Sequence, residues 1–355
     1  MRVLHCISWL SMGGAERQLY YIAREQARLG HEIHIVYTNG DNIPAGYRNS
    51  GVSLWKLSCV HNHDPSLILK MIGLLRRLKP DMVQSWIIQM DVIAGISAAL
   101  AGIPWILREP SSANAWPSNM KNGLRALVAR TAKAVISNSS AGAEYWKKHI
   151  PAARCVVLPN ALPISEIEGA LPKTGRISEK RLVLYAGRLN QREKNFLGTL
   201  IALMEVVRQR EVDVAILGDG PERKQAQEAV QAAGLRHRIL FYGQCDDVWA
   251  WMKSASVFVN ASFVEGQPNA VLEAMTCNLP VVLSNIPAHR ELAPNGTAWF
   301  VDPDPPSSIL NGIFAALDDP AEAAARAGRA RALVGQFSVS RAASDYLDVY
   351  DRVKG

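Results

Sequence analysis

Glu265 and Glu273 flank a turn, Glu265-Gly266-Gln267-Pro268-Asn269-Ala270-Val271-Leu272-Glu273, that opens into an apolar helical run. Gly266 permits the tight turn, and Pro268 suits the first helical position, where its missing N–H would be unpaired anyway. The free amides that follow point outward with the positive end of the helix dipole behind them, a setting that suits a diphosphate. The two carboxylates, about two helical turns apart, can accept hydrogen bonds from two sets of hydroxyls on one elongated ligand. Taken alone, the spacing serves equally well a capped amphipathic helix with solvated carboxylates.

Other residues with chemistry recur at the ends of apolar runs. Gly187-Arg188-Leu189 closes one run, with Gln191, Lys194 and Asn195 close behind; Arg188 and Lys194 together can neutralise a diphosphate leaving group. Gly218-Asp219-Gly220-Pro221 and Phe241-Tyr242-Gly243-Gln244 close two more. Near the start, Ser8-Trp9-Leu10-Ser11-Met12-Gly13-Gly14-Ala15-Glu16 places a glycine pair where a strand gives way to a helix, which lets backbone approach a phosphate or sugar. It is not GxGxxG, so dinucleotide binding has little support. His61 and His63 form HxH, which reads as a solvated loop rather than a metal site. Trp249 and Trp251, two apart on an expected helix, share no face and are expected to pack.

These residues need a frame that brings their loops to one edge. Short β-rich runs alternate with helical ones throughout: Val3–Ser8, Glu32–Tyr37, Leu54–Leu57, Met82–Ser85, Trp105–Arg108, Val135–Asn138 and Cys155–Leu158, then Leu182–Ala186, Asp213–Leu217, Ile239–Tyr242, Val257–Asn260, Pro280–Leu283 and Trp299–Val301. Helical patterns such as Ala15–Leu29, Leu67–Leu78, Glu222–Ala233 and Asp247–Ser254 separate them. This is the rhythm of βαβ units and parallel sheets. The 355 residues exceed the roughly 250 to 300 at which a single core splits, so the reading is α/β with two Rossmann-like, doubly wound parallel-sheet domains facing across a cleft. Their expected bounds are 1–165 and 166–337, with 338–355 a terminal helix packing back on the first domain. The polar stretch Pro163 to Lys180, with Pro172 and Gly175, reads as a linker, and the apolar Val92 to Leu107, broken by Pro104, as a buried helix plus strand rather than a membrane span. Ligands of such sheets bind at the carboxyl ends of the strands, where Arg188, Gly218, Gln244 and Glu265 all fall.

With these residues in this order the chain resembles the retaining GT-B glycosyltransferases of glycosyltransferase family 4, the group 1 enzymes that include bacterial lipopolysaccharide and capsule sugar transferases. The resemblance covers nearly the whole chain through Gly13-Gly14-Ala15-Glu16, Gly187-Arg188-Leu189 with Lys194-Asn195, Gly218-Asp219-Gly220-Pro221, the E-x7-E motif from Glu265 to Glu273, Leu279-Pro280-Val281-Val282 and the Phe337-Ser338 helix. It implies that Arg188 and Lys194 hold the donor diphosphate, that Glu265 contacts sugar hydroxyls, and that Glu273 binds the ribose. It also implies that Gly14 approaches the phosphates from the first domain, and that the donor site comprises Gly13, Gly14, Arg188, Lys194, Gly218, Asp219, Gln244, Glu265, Gly266, Gln267, Pro268, Asn269, Ala270 and Glu273. The reaction it implies retains anomeric configuration and needs no metal or other cofactor. Many members carry a histidine at the end of a first-domain strand near the reacting sugar, whereas the matching segment here reads Trp105-Ile106-Leu107-Arg108-Glu109-Pro110-Ser111-Ser112. Arg108, Glu109 and Ser111 are the acceptor-side candidates, with Glu109 favoured as a positioning group or proton acceptor and a plain Arg108–Glu109 surface pair as the alternative.

Composition bounds the partners. The net charge of +7 is uneven: residues 1–163 hold 18 Lys+Arg against 9 Asp+Glu, leaving 21 against 23 for the rest. The basic first half suits an anionic partner, and the apolar, basic stretches Leu67–Lys79 and Lys121–Lys133 allow contact with anionic lipid head groups as well as plain core packing. No nucleic-acid motif accompanies the charge. Five isolated cysteines without CxxC spacing argue for a reducing compartment, and no signal peptide is expected ahead of the alternating apolar segment that follows Met1. The expectation is a cytoplasmic enzyme, at the inner face of the membrane, that moves a sugar from a nucleoside diphosphate sugar, UDP-linked by preference, to a hydroxyl of a glycan or lipid-linked glycan. A sugar-nucleotide epimerase of the same architecture and a non-catalytic sugar-nucleotide-binding scaffold are the alternatives.

Overall fold

Val257-Phe258-Val259-Asn260 is buried along its whole length, as are Met82–Ser85, Ala134–Ser137 and Val281–Ser284. Strands covered on both faces in this way belong to parallel sheets flanked by helices. The computed structural model describes residues 1–355 apart from 11–12, 41–42, 49, 60–63, 112–118, 174–179 and 355. His61 and His63, Ser112, Gly175 and the Ser11-Met12 part of the glycine turn lie outside the described residues.

The chain divides into two compact units, Met1–Ala161 with Phe337–Gly355, and Leu162–Gln336. The first passes through β1 (Arg2–Trp9), α1 (Gly14–Arg28), β2 (Glu32–Asn39), α2 (Ala45–Arg48), β3 (Ser53–Lys56), α3 (Ser66–Leu78), β4 (Met82–Ser85) and α4 (Ile88–Ala101). It continues with β5 (Trp105–Glu109), α5 (Met120–Ala129), β6 (Ala134–Ser137), α6 (Ser140–Lys147) and β7 (Cys155–Val157). The second runs α7 (Ile164–Gly169), β8 (Arg181–Ala186), α8 (Gln191–Lys194), α9 (Phe196–Gln209), β9 (Val212–Leu217), α10 (Arg223–Ala232) and β10 (Ile239–Gly243). After these come α11 (Val248–Ser254), β11 (Val257–Asn260), α12 (Asn269–Thr276), β12 (Val281–Ser284), α13 (Pro287–Leu292), β13 (Trp299–Val301), α14 (Pro306–Asp318) and α15 (Pro320–Leu333). Helix α16 (Val339–Lys354) then returns to the first unit.

Both sheets are parallel throughout, in the orders β3-β2-β1-β4-β5-β6-β7 and β10-β9-β8-β11-β12-β13. Each reverses its winding once, between β1 and β4 and between β8 and β11, and ligands of doubly wound sheets bind at the carboxyl ends beside such a switch point. Val92–Leu107 resolves into the buried helix α4 and the strand β5, as its interruption by Pro104 suggests. Two expectations change. The stretch read as a linker contains α7, whose Ile167 is fully buried, and α12 begins at Asn269, with Pro268 preceding it as the N-cap rather than as its first residue. Among the described residues no helix is long and apolar enough to cross a membrane.

Helix α16 belongs to the core of the first unit. Tyr346 and Tyr350 are buried, Tyr346 stacks on Trp86 at 6.1 Å and 10°, and Tyr350 donates to Gln84 in β4. At the solvent side Lys354 pairs with Asp81 at 2.8 Å.

Candidate active site

In the second unit the switch point brings two loops together. Strands β8 and β11 are neighbours, Val257 opposite Val183 and Phe258 opposite Leu184, so the segments that leave their carboxyl ends emerge side by side. After β8 the chain turns at Gly187, and Asn190 caps the short helix α8 by accepting the Glu193 N–H. Asn195 then takes a left-handed conformation, φ 49°, between α8 and α9, and its side-chain Nδ2 donates to Pro303 O at 2.5 Å. After β11, the amides of Phe263 and Val264 both donate to Glu193 O, at 2.8 and 3.1 Å. The two loops are therefore stitched by backbone before any side chain is considered.

The side chains complete the junction. Lys194 Nζ lies 2.6 Å from Glu265 Oε1 and 2.7 Å from Oε2, with 25% of the lysine side chain and 7% of the glutamate side chain exposed. Ser262 Oγ donates to Glu265 Oε1 at 2.8 Å. Burial by itself pushes the Glu265 carboxyl up, but the Lys194 charge and the hydrogen bonds from Lys194 and Ser262 outweigh it and hold the group below the usual carboxylate range. Glu265 is thus an ionised group in a nearly dry site.

The neighbouring loops are held as tightly. Gly187 N donates to Leu217 O at 3.0 Å, Gly218 N to Gly243 O at 2.6 Å and Leu189 N to Asp219 O at 3.0 Å. Gly218 sits at φ 123°, and a Cβ there would lie 1.9 Å from Gly187 O, so only glycine permits this approach. Asp219 accepts the Gly220 N–H at 2.8 Å and pairs with Arg223 at 2.7 Å, and these two contacts hold its carboxyl low. Arg188 and Gln244 are exposed at this edge, while Gly266, Gln267, Asn269 and Ala270 are partly exposed and Pro268 is buried. Glu273 is buried within α12 and Glu265 nearly so, which overturns the alternative of a helix with solvated carboxylates.

The first unit places its candidates differently. Gly13 is the N-cap of α1, and the carboxylate of Glu16 folds back on it, within 2.5 Å of where a Cβ on Gly13 would stand; Gly13 and Gly14 are exposed. Arg108 and Glu109 are 2% and 1% exposed, so the surface-pair alternative does not hold. Side chains alternate across β5, and the two look to separate networks. Arg108 donates to Tyr346 OH at 3.0 Å and Asn160 at 2.5 Å and lies over the Trp86 ring at 4.8 Å. Glu109 accepts from Arg125 at 2.8 Å, Trp146 Nε1 at 3.0 Å and Ser111 N at 3.0 Å, while Arg125 also holds Asp91 at 2.6 Å. Glu109 is therefore an internal counter-ion for Arg125 rather than a group presented to an acceptor. Ser111 donates its backbone amide to Glu109 and is partly exposed.

The residues that sequence reasoning passed over are Ser262, Ser284 and His289 behind Glu265, and Asp91 and Arg125 beside Glu109. Ser262, three residues before Glu265 and just past a strand end, carried the one local signal.

A model described as "Glycosyl transferases group 1" matches residues 180–319, and one described as "Glycosyltransferase Family 4" matches residues 12–166. The chain belongs to the group 1 glycosyltransferases of family 4. Its family relatives include a phosphatidyl-myo-inositol mannosyltransferase of Mycolicibacterium smegmatis, 28% identical over 60% of this chain and 56% of that protein. The chain is thus matched to little more than half the length of that relative. The lipopolysaccharide core biosynthesis glycosyltransferase LpsD of Rhizobium meliloti is 24% identical over 99% of this chain and 98% of its own. Among solved structures, Anabaena HepE in complex with UDP and glucose superposes with a TM-score of 0.85 at 20% identity, covering 99% of this chain and all of that one. That likeness establishes the GT-B fold, and the epimerase alternative finds no support among these relatives.

Proposed function

We propose that this family 4 chain transfers a sugar from a nucleoside diphosphate sugar, UDP-linked by preference, to a hydroxyl of a glycan or lipid-linked glycan in cell-surface polysaccharide synthesis. The observation that carries the proposal is the Lys194–Glu265 pair at the β8/β11 switch point, the place where a doubly wound sheet takes a nucleotide. The names of the relatives, a phospholipid mannosyltransferase and a lipopolysaccharide core enzyme, support the acceptor class, and the UDP and glucose of HepE support the donor.

In this reading Arg188 and Lys194 take the charge that develops on the diphosphate, Glu265 accepts hydrogen bonds from the sugar hydroxyls, and Glu273 serves the ribose. Lysine and helix amides stabilise the leaving group without a metal, and the transfer retains anomeric configuration. The diphosphate competes with Glu265 for the Lys194 ammonium, so donor binding frees carboxylate lone pairs for the sugar.

The acceptor reaches the first unit from an anionic membrane. Met120, Leu124 and Leu127 form an exposed apolar ridge on α5, with Lys121, Arg130 and Lys133 exposed beside it, and residues 110–143 contain no Asp or Glu. Such a face can lie in a head-group layer.

The test begins with thermal stabilisation by UDP-, GDP- and ADP-sugars, followed by nucleoside diphosphate release with and without lipid-linked diphosphate glycans. Release that depends on acceptor, with an anomeric configuration matching the donor by NMR, is expected. Turnover without acceptor, or full activity of Glu265→Ala, overturns the reading.

A further inference from the structure

Behind Glu265 lies a chain of buried polar groups that no role in donor binding explains. Ser262 Oγ stands 2.8 Å from Glu265 Oε1 and 2.6 Å from Asn260 Oδ1, and Ser262 N donates to the same Asn260 oxygen at 3.3 Å. A hydroxyl has one proton, and an ionised carboxylate is the stronger acceptor. Ser284 Oγ donates to Ser262 O at 2.6 Å, and His289 Nδ1 lies 2.9 Å from Ser284 O and 3.0 Å from its Oγ. A carbonyl partner fixes the His289 proton on Nδ1. Nε2 is then a bare lone pair, fully buried and without a hydrogen-bond partner among the described residues. Burial holds the imidazole neutral despite the nearby Glu265 charge. A site that needed only packing would carry an apolar side chain here, because an unpaired buried polar atom costs stability.

We infer that Ser262, clamped from below by Ser284 and His289, is a positioning residue that fixes the orientation of the Glu265 carboxylate. Resting on the glycosyltransferase reading above, this assigns Ser262 to the reaction through Glu265 rather than through contact with the donor. A carboxylate held only by Lys194 would follow the ammonium when a diphosphate draws it away. Ser262 supplies the second point that keeps Oε1 in place during that exchange.

The experiment compares Ser262→Ala, Ser262→Thr, Ser284→Ala and Glu265→Gln in the full chain. The donor is UDP-glucose, or whichever of the UDP-, GDP- and ADP-sugars the wild type turns over fastest. Ser262→Ala is expected to lower kcat roughly tenfold with donor KM within about twofold, Ser262→Thr to restore most of it, and Ser284→Ala to cost roughly threefold. On a Glu265→Gln background, Ser262→Ala should change the rate by less than about twofold, because both act through one group. A readout that needs no substrate is the carboxyl titration of Glu265, followed by 13C NMR with labelled glutamate and assigned by its loss in Glu265→Gln. Ser262→Ala should raise that pKa, since a hydrogen bond to the ionised form is lost. An unchanged titration with wild-type kcat overturns the inference, as does a loss that adds fully to that of Glu265→Gln. Wild-type turnover by Glu265→Gln itself would instead refute the site reading, and the titration would still decide the place of Ser262.

Discussion

One ammonium, that of Lys194, sits within 2.7 Å of both carboxylate oxygens of Glu265. Cation and anion come from loops that follow different strands, so the pair also reports that both loops are in place. Replacing Lys194 by Met leaves a nearly buried carboxylate without its counter-ion. Because the lysine head is partly in water, the cost should be on the order of 2 kcal/mol, below that of a fully buried pair. Glu265 is held low in the folded chain, so its contribution is present at neutral pH and lost as pH falls through its folded pKa. Urea titrations should therefore show the gap between wild type and Lys194→Met at pH 7 and its closing in acid.

Gly218→Ala should be far worse than its size suggests. The new methyl meets Gly187 O, and φ 123° is strained for any L side chain. A loss of at least about 2 kcal/mol is expected, together with weaker nucleotide binding. Gly328→Ala in α15 is the control, since nothing lies within 4 Å of its Cβ and the helix gains about 1 kcal/mol. Thermal melts of the two variants should move in opposite directions.

Acid should weaken the first unit through His5. Its Nδ1 accepts the Trp86 indole N–H at 3.1 Å and its Nε2 meets Gln26 at 2.9 Å, so a second ring proton has no place to go. Burial, partly offset by the Gln26 hydrogen bond, lowers its pKa from 6.5 to about 4. The unfolded chain therefore takes up a proton before the folded one does. Stability should fall between pH 6.5 and about 4 by roughly 3 kcal/mol from this group. His5→Asn should flatten that part of the pH–stability curve measured by urea unfolding.

Arg125→Leu leaves Asp91 and Glu109 buried without their shared cation, for about 3 to 5 kcal/mol of destabilisation. Glu109→Gln should be milder, because Gln keeps an acceptor for Arg125 while Asp91 still balances its charge. Circular dichroism in urea distinguishes the two.

The sheet frame was readable because its strands are runs of apolar, β-branched residues closed by Gly or polar turns: Met82–Ser85, Val257–Asn260 and Trp299–Val301 begin and end where the pattern does. Winding order then carried Arg188, Gly218, Gln244 and Glu265 to one edge. The first-unit candidates were harder to place, because Arg108-Glu109 reads as a hydrophilic pair. What buries it is Asp91, Arg125, Trp146, Asn160 and Tyr346, and partners tens to hundreds of residues away leave no local spacing. The same holds for His289 and Ser284 behind Glu265, which look like ordinary residues of a strand end and a short helix. Helix α7 escaped notice because its six residues bury one large side chain, too few to set a period.

Helix α16 gives the first unit a seam at residues 161 and 337. During synthesis the ribosome delivers most of that unit before the second, yet the tyrosines that meet Trp86, Arg108 and Gln84 arrive only after the second unit. The second unit, contiguous from Leu162 to Gln336, has all its strands before then. The first unit thus starts before the second and closes after it, and nicking the chain ahead of Val339 would cut that closing piece from its strands while leaving the second unit whole.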